Sequence, residues 1–177
     1  YLLLSGLDRE ERQSVVKLIR ISDGQVMAKW KPDWNYIHRQ ISGHRFGPRG
    51  NPKTYVATHP LLLRDGSIIF NTTSSLVRLP LCSSKPSWVL DYPFHHSIEL
   101  SPNGNSFWVP SVTEAFATDN PWLKENLRDD SLAEVRLDGR VIQSLSFSKI
   151  LTQNNMTAQM LGSTGYFINL DPLHINQ

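Results

Sequence analysis

Pro60-Leu61-Leu62-Leu63-Arg64-Asp65-Gly66-Ser67-Ile68-Ile69-Phe70 recurs downstream as Ile98-Glu99-Leu100-Ser101-Pro102-Asn103-Gly104-Asn105-Ser106-Phe107-Trp108-Val109. In each, one apolar run meets an Asp-Gly or Asn-Gly pair and a second apolar run follows. Such pairs supply the positive φ that a tight hairpin turn needs. A second kind of hairpin follows each copy. After the first comes Leu76-Val77-Arg78-Leu79-Pro80-Leu81, a polar loop, then Ser87-Trp88-Val89-Leu90-Asp91-Tyr92. After the second comes Ala133-Glu134-Val135-Arg136-Leu137-Asp138-Gly139-Arg140-Val141-Ile142-Gln143-Ser144-Leu145. A third hairpin of this kind stands upstream, from Val15 to Trp30 around Asp23-Gly24.

Two hairpin types alternating in one order make a four-stranded antiparallel unit. A unit of this kind repeated along a chain is the signature of a β-propeller blade. One blade buries only part of its apolar surface, so blades must stack face to face. The expected fold is therefore all-β: a β-propeller fragment with about two complete four-stranded blades plus parts of two more. The blade parts fall at 1–32, 58–92, 94–147 (with an insertion) and 171–177, all within a single propeller domain over 1–177. Residues 1–32 read as a blade lacking its first strand, and Leu173 onward reads as the first strand of another. These are too few to close a ring. The chain, which starts at Tyr1 without an initiator Met, is thus expected to be a piece of a larger repeat protein. A β-sandwich of hairpins is the competing architecture.

Irregular segments separate the units. Residues 33–57, rich in Pro, Gly, His and Arg, read as a long inter-blade loop with one helical turn. Residues 114–131 read as a short helix or an ordered flap. From Ser148 to Asn155 the pattern fits a helical turn or two, with Ser148 as N-cap. Long loops in compact domains are often functional.

Composition narrows the function classes. Of the 177 residues, 40% are apolar and 19% charged, an ordinary globular balance. The net charge is +2 and no block of like charges occurs, which excludes a nucleic-acid partner of the usual electrostatic kind. Cys82 is the only cysteine, so no internal disulfide forms. No signal peptide is visible at Tyr1-Leu2-Leu3-Leu4-Ser5-Gly6, and no apolar run has the length of a membrane helix. Phosphate-loop, dinucleotide and Gly-x-Ser-x-Gly motifs are missing, so no cofactor is expected. Asn71-Thr72-Thr73 and Asn155-Met156-Thr157 fit glycosylation acceptors.

The histidines carry the chemistry. In a propeller the innermost strand of each blade lines the central channel, and ligands bind at the channel mouth. The inner strands here begin near Thr58-His59-Pro60, His95-His96-Ser97 and Leu173-His174-Ile175-Asn176, so each opens on a histidine. Strand alternation puts His96, Ile98 and Leu100 on one face and His95, Ser97 and Glu99 on the other. It also puts His174 and Asn176 together. An imidazole beside a carboxamide makes a polar handle for an anionic ligand. On this reading His95 and His96 point apart and cannot share a metal. A zinc ion held by His96, His174 and a third ligand is the rival arrangement, and no metal is expected.

At these residues the chain resembles the arylsulfotransferase family, the PAPS-independent type with a six-bladed β-propeller. The resemblance rests on His95-His96-Ser97-Ile98-Glu99-Leu100-Ser101-Pro102-Asn103-Gly104-Asn105, on Asp171-Pro172-Leu173-His174-Ile175-Asn176, and on His59-Pro60-Leu61-Leu62-Leu63 before its Asp65-Gly66 turn. It implies transfer of a sulfuryl group from an aryl sulfate donor to a phenolic acceptor through a sulfohistidine intermediate. Imidazole is a nucleophile at neutral pH, and the sulfuryl oxygens need preorganised donors. By resemblance His96, His174 and Asn176 are such donors, with His95 beside them. The family also implies an extracytoplasmic location. Ser97 stands where the family carries an acid, so the group orienting the imidazole must come from elsewhere. The family's nucleophilic His and an Arg donor lie on blades after the His-x-Asn motif. The full-length protein is thus expected to be the enzyme, and residues 1–177 alone are expected to be inactive and to self-associate through open blade faces. A non-catalytic propeller that binds a ligand or a protein is the alternative.

Overall fold

The repeated hairpins fold as successive antiparallel meanders. The computed structural model describes residues 1–43, 50–72, 75–114, 128–156 and 158. Contacts divide the chain into two units, Tyr1–Glu99 and Leu100–Gln177.

The first unit holds two sheets. Strands β1 (Leu2–Asp8), β2 (Gln13–Ile19) and β3 (Val26–Trp30) form a three-stranded sheet in chain order. Strands β4 (Thr58–Leu62), β5 (Ile68–Asn71), β6 (Leu76–Leu79) and β7 (Trp88–Leu90) form a four-stranded sheet, again in chain order. The four-strand unit expected over 58–92 and the shorter one expected before it are both present. All described pairings are antiparallel, and the chain is mostly β.

Turn chemistry fixes the β4–β5 hairpin. Gly66 sits at φ +79°, a conformation that costs a residue with a Cβ but not glycine. Asp65 Oδ1 accepts from the Ser67 amide at 3.0 Å and from Ser67 Oγ at 2.6 Å. Arg78, two strands over on β6, donates to Asp65 Oδ2 at 2.6 Å. These bonds, the Ser67 ones foremost, hold the Asp65 carboxyl below the usual carboxylate range.

The two sheets share a core. Val16 and Trp30 from the first meet Ile68, Phe70, Val77 and Leu79 from the second, all essentially buried. Burying each such side chain is worth about 1.5–3 kcal/mol. The 33–57 segment, expected to be loop with one helical turn, contributes more than that. Helix α1 (Trp34–Arg39) is capped by Asp33, whose carboxylate accepts from the Tyr36 amide at 2.9 Å. Its buried face, Trp34 and Ile37, enters the same core with Ile41, Tyr55 and Ala57. A single 3₁₀ turn follows at Pro52–Thr54.

In the second unit strands β9 (Ser106–Glu114), β10 (Arg128–Arg136) and β11 (Val141–Ser146) run as a meander, with β8 (Glu99–Leu100) at the edge beside β9. Phe107, Val109, Ala133 and Val135 form one buried apolar side, and Val112 is buried on the opposite face. Helix α2 (Phe147–Gln153) follows β11 directly. Its N-cap is Ser146, not Ser148. Ser146 Oγ accepts from the Lys149 amide at 3.0 Å and donates to Asp129 Oδ2 at 2.6 Å. Ser148 is already inside the helix, where its amide donates to the buried Asp129 Oδ1 at 3.0 Å. The fully buried Asp129 is what moves the cap two residues earlier. Of the segment 114–131, expected to be a short helix or an ordered flap, Glu114 ends β9 and residues 128–131 begin β10, while 115–127 and the blade part over 171–177 lie outside the described residues.

Candidate functional site

His59 lies near the start of β4 and His96 three residues before β8, and the backbone treats them alike. His59 has φ +49° and His96 φ +57°. Left-handed backbone at a non-glycine residue costs of order 1–3 kcal/mol and concentrates at functional sites. At His59 the cause is visible in the register. Thr58 pairs with Asn71 and Leu61 with Ile69, so His59 and Pro60 together face Phe70. The extra residue bulges, and its imidazole is exposed.

The His96 segment is pinned on both sides. Phe94 is 1% exposed and its ring lies 5.3 Å from that of Tyr92. Ile98 is buried as well. Asn71, at the end of β5 and fully buried, donates its Nδ2 to the His96 carbonyl at 2.6 Å. The Asn71 carbonyl in turn accepts from Thr58 Oγ1 at 3.1 Å. The same short segment of β5 thus holds the residue before His59 and His96 itself.

Three imidazoles meet as a result. The His59 and His96 rings are edge to face with centroids 6.1 Å apart. The His95 and His96 rings are also edge to face, at 4.8 Å. His96 is the ring that touches both others. His95 and His96 are each half-buried, and both ring nitrogens of His95 are shut off from solvent.

This overturns the strict alternation expected over 95–100. Strand β8 is only Glu99–Leu100, and the left-handed turn at His96 breaks the pleat before it. His95 and His96 therefore pack together instead of pointing to opposite faces. Even so, among the described residues no group of three His, Cys, Asp or Glu side chains is set to hold a metal ion. His174 and Asn176, the other expected site residues, lie outside the described residues, as does the zinc arrangement built on His174.

Asn71 is the residue the sequence did not point to. It reads as a glycosylation acceptor, yet it is fully buried, and its Oδ1 has no hydrogen-bond partner among the described residues. The signal was its position opposite Thr58, one residue before the bulge. His38, by contrast, is structural: its Nδ1 is 3.1 Å from the Tyr55 hydroxyl.

Chemically, the row offers one exposed and two half-buried imidazoles over a rigid, hydrogen-bonded base. Imidazole can donate to an anionic oxygen, accept a proton, or attack as a nucleophile. Comparison with protein-family models, with curated proteins and with solved structures finds no match for this chain.

Proposed function

We propose that this chain is part of a β-propeller of the arylsulfotransferase type and contributes one side of its sulfuryl-binding site. The observation that carries the reading is the meeting of His59 and His96. His59 stands near the start of β4 and His96 three residues before β8, both hold left-handed backbone, and their rings lie 6.1 Å apart. Repeated blades bring the starts of their first strands to one axis, and a channel mouth is where such rings would converge.

In this reading His96 donates to an oxygen of the aryl sulfate, with His95 behind it and His174 and Asn176 completing the donor set. Another imidazole of the full-length protein attacks sulfur. The S–N bond forms, the S–O(aryl) bond breaks, and the phenolate leaves with the electron pair and takes up a proton. A second phenol reverses the step and carries the sulfuryl group away. Donors aimed at the sulfuryl oxygens stabilise the charge that develops on them.

The test is to mix full-length protein with 4-nitrophenyl sulfate and no acceptor. The reading expects one SO3 adduct on a histidine, discharged by added phenol. Absence of any adduct, with ligand binding retained, supports a non-catalytic binding propeller instead.

A further inference from the structure

The first unit carries a cleft of about 360 Å³ built from residues the histidine site does not use, with Arg12, Lys31, Asp33, Trp34, Lys53 and Ser84 in its lining. Its charge is unbalanced: Arg12, Lys31 and Lys53 face a single carboxylate, Asp33. Asp33 is also occupied, since it caps α1. Lys31 pairs with Glu11, which also holds Lys29 at 2.6 Å. Arg12 and Lys53 have no ion pair or hydrogen-bonded side-chain partner among the described residues. Two uncompensated cations thus stand at one cleft.

Hydrogen bonds brace the walls of the cleft. Gln13 Nε2 donates to the Pro32 carbonyl at 3.1 Å, and Trp34 Nε1 to the Ser14 carbonyl at 3.1 Å. The Asp33 amide donates to the Ser84 carbonyl at 2.8 Å. Asn51 accepts from the Lys53 amide at 3.0 Å and fixes the 3₁₀ turn. Three chain segments distant in sequence are tied together and the fourth is fixed by its own turn, so little ordering cost is left for binding. Pro32, Pro52 and the edge of Trp34 supply apolar wall beside the charges. A pocket of mixed apolar wall and a few converging polar groups is the usual form of a small-molecule site.

We propose that this cleft binds a small organic oxyanion, an apolar body bearing a phosphate, sulfate or carboxylate group, with Arg12 and Lys53 as its charge partners. Arg12 presents a planar fork suited to two anionic oxygens, and Lys53 a point charge. Asn35 and Ser84 are placed to add neutral hydrogen bonds at the rim.

Calorimetric titration with phenyl phosphate tests this, and the cleft variants separate binding at the cleft from binding at the histidines. Saturable binding is expected, weakening as salt is raised. Benzyl alcohol, the uncharged counterpart, should not bind. Arg12→Ala and Lys53→Ala should each weaken phenyl phosphate by about tenfold, the scale of one charge-assisted hydrogen bond. Arg64→Ala, an exposed turn cation outside the cleft, should change nothing. Both cleft variants are exposed surface changes, and unchanged thermal melts will verify their fold. Salt-independent binding, equal affinity for benzyl alcohol, or affinity lost in His96→Ala but kept in Arg12→Ala would each overturn the proposal.

Discussion

The Asn71 side chain holds the His96 backbone: its Nδ2 donates to the His96 carbonyl across 2.6 Å from a fully buried position. Removing it strands a carbonyl beside a left-handed turn that already carries strain. Asn71→Ala should destabilise the fold by about 1–3 kcal/mol, the cost of leaving a buried polar group unpaired. Asn71→Asp should cost more, because it sets an acceptor against an acceptor. Urea unfolding followed by circular dichroism will rank the two.

Turn glycines should differ by their surroundings. A Cβ on Gly66 would sit 3.3 Å from Leu81 Cδ2, whereas a Cβ on Gly104 would meet nothing within 4 Å. Both have positive φ, +79° and +69°. Gly104→Ala should therefore cost only the backbone penalty of about 1–2 kcal/mol, and Gly66→Ala should cost more. Thermal melts of the two variants check the order; equal losses would mean that Leu81 moves aside freely.

Ser146→Ala should cost about 1 kcal/mol as the loss of an N-cap. Ser148→Ala should cost less, since the Asp129 bond uses the Ser148 backbone amide. If Ser148→Ala proves the more damaging of the two in denaturant titration, the cap assignment fails.

Acid should unfold the protein through its carboxylates. Asp8 is held down to about 2, first by its bond to Lys17, then by the Glu11 and Glu10 amides. Glu11, Asp23, Asp65 and Glu134 are also lowered. A depressed pKa gives stability that is complete above the unfolded value, near 3.8 for Asp8, and is lost as pH falls through the folded one. The urea midpoint should drop as pH goes from 4 to 2, and Asp8→Asn should flatten that drop. Identical slopes would remove Asp8 from the account.

Much of the fold could be read before any coordinates. Asp23-Gly24, Asp65-Gly66, Asn103-Gly104 and Asp138-Gly139 were expected to turn with positive φ, and all four glycines do. Apolar runs between such turns leave little freedom in strand order. The site was less legible. Period-two alternation assumed a strand at His95-His96, but backbone strain at His96 depends on Asn71, which is distant in sequence. The helix cap at Ser146 depends on Asp129, and the cationic cleft gathers residues from four segments. Contacts of that kind leave no local pattern. Pro32 to Tyr55 looked irregular because its apolar residues, Trp34, Ile37, Ile41 and Tyr55, serve one core from a short helix and a loop.

The row His59, His96, His95 stands at the centre of the functional account, and turnover tests it most directly. Full-length protein is given 4-nitrophenyl sulfate with and without a phenol acceptor, and release of 4-nitrophenolate is followed by absorbance. The account predicts release that requires the acceptor and falls by about a hundredfold or more in His96→Ala, as expected for losing one transition-state donor, while the melting temperature stays within a few degrees. No acceptor-dependent release, or full release in His96→Ala, would contradict it.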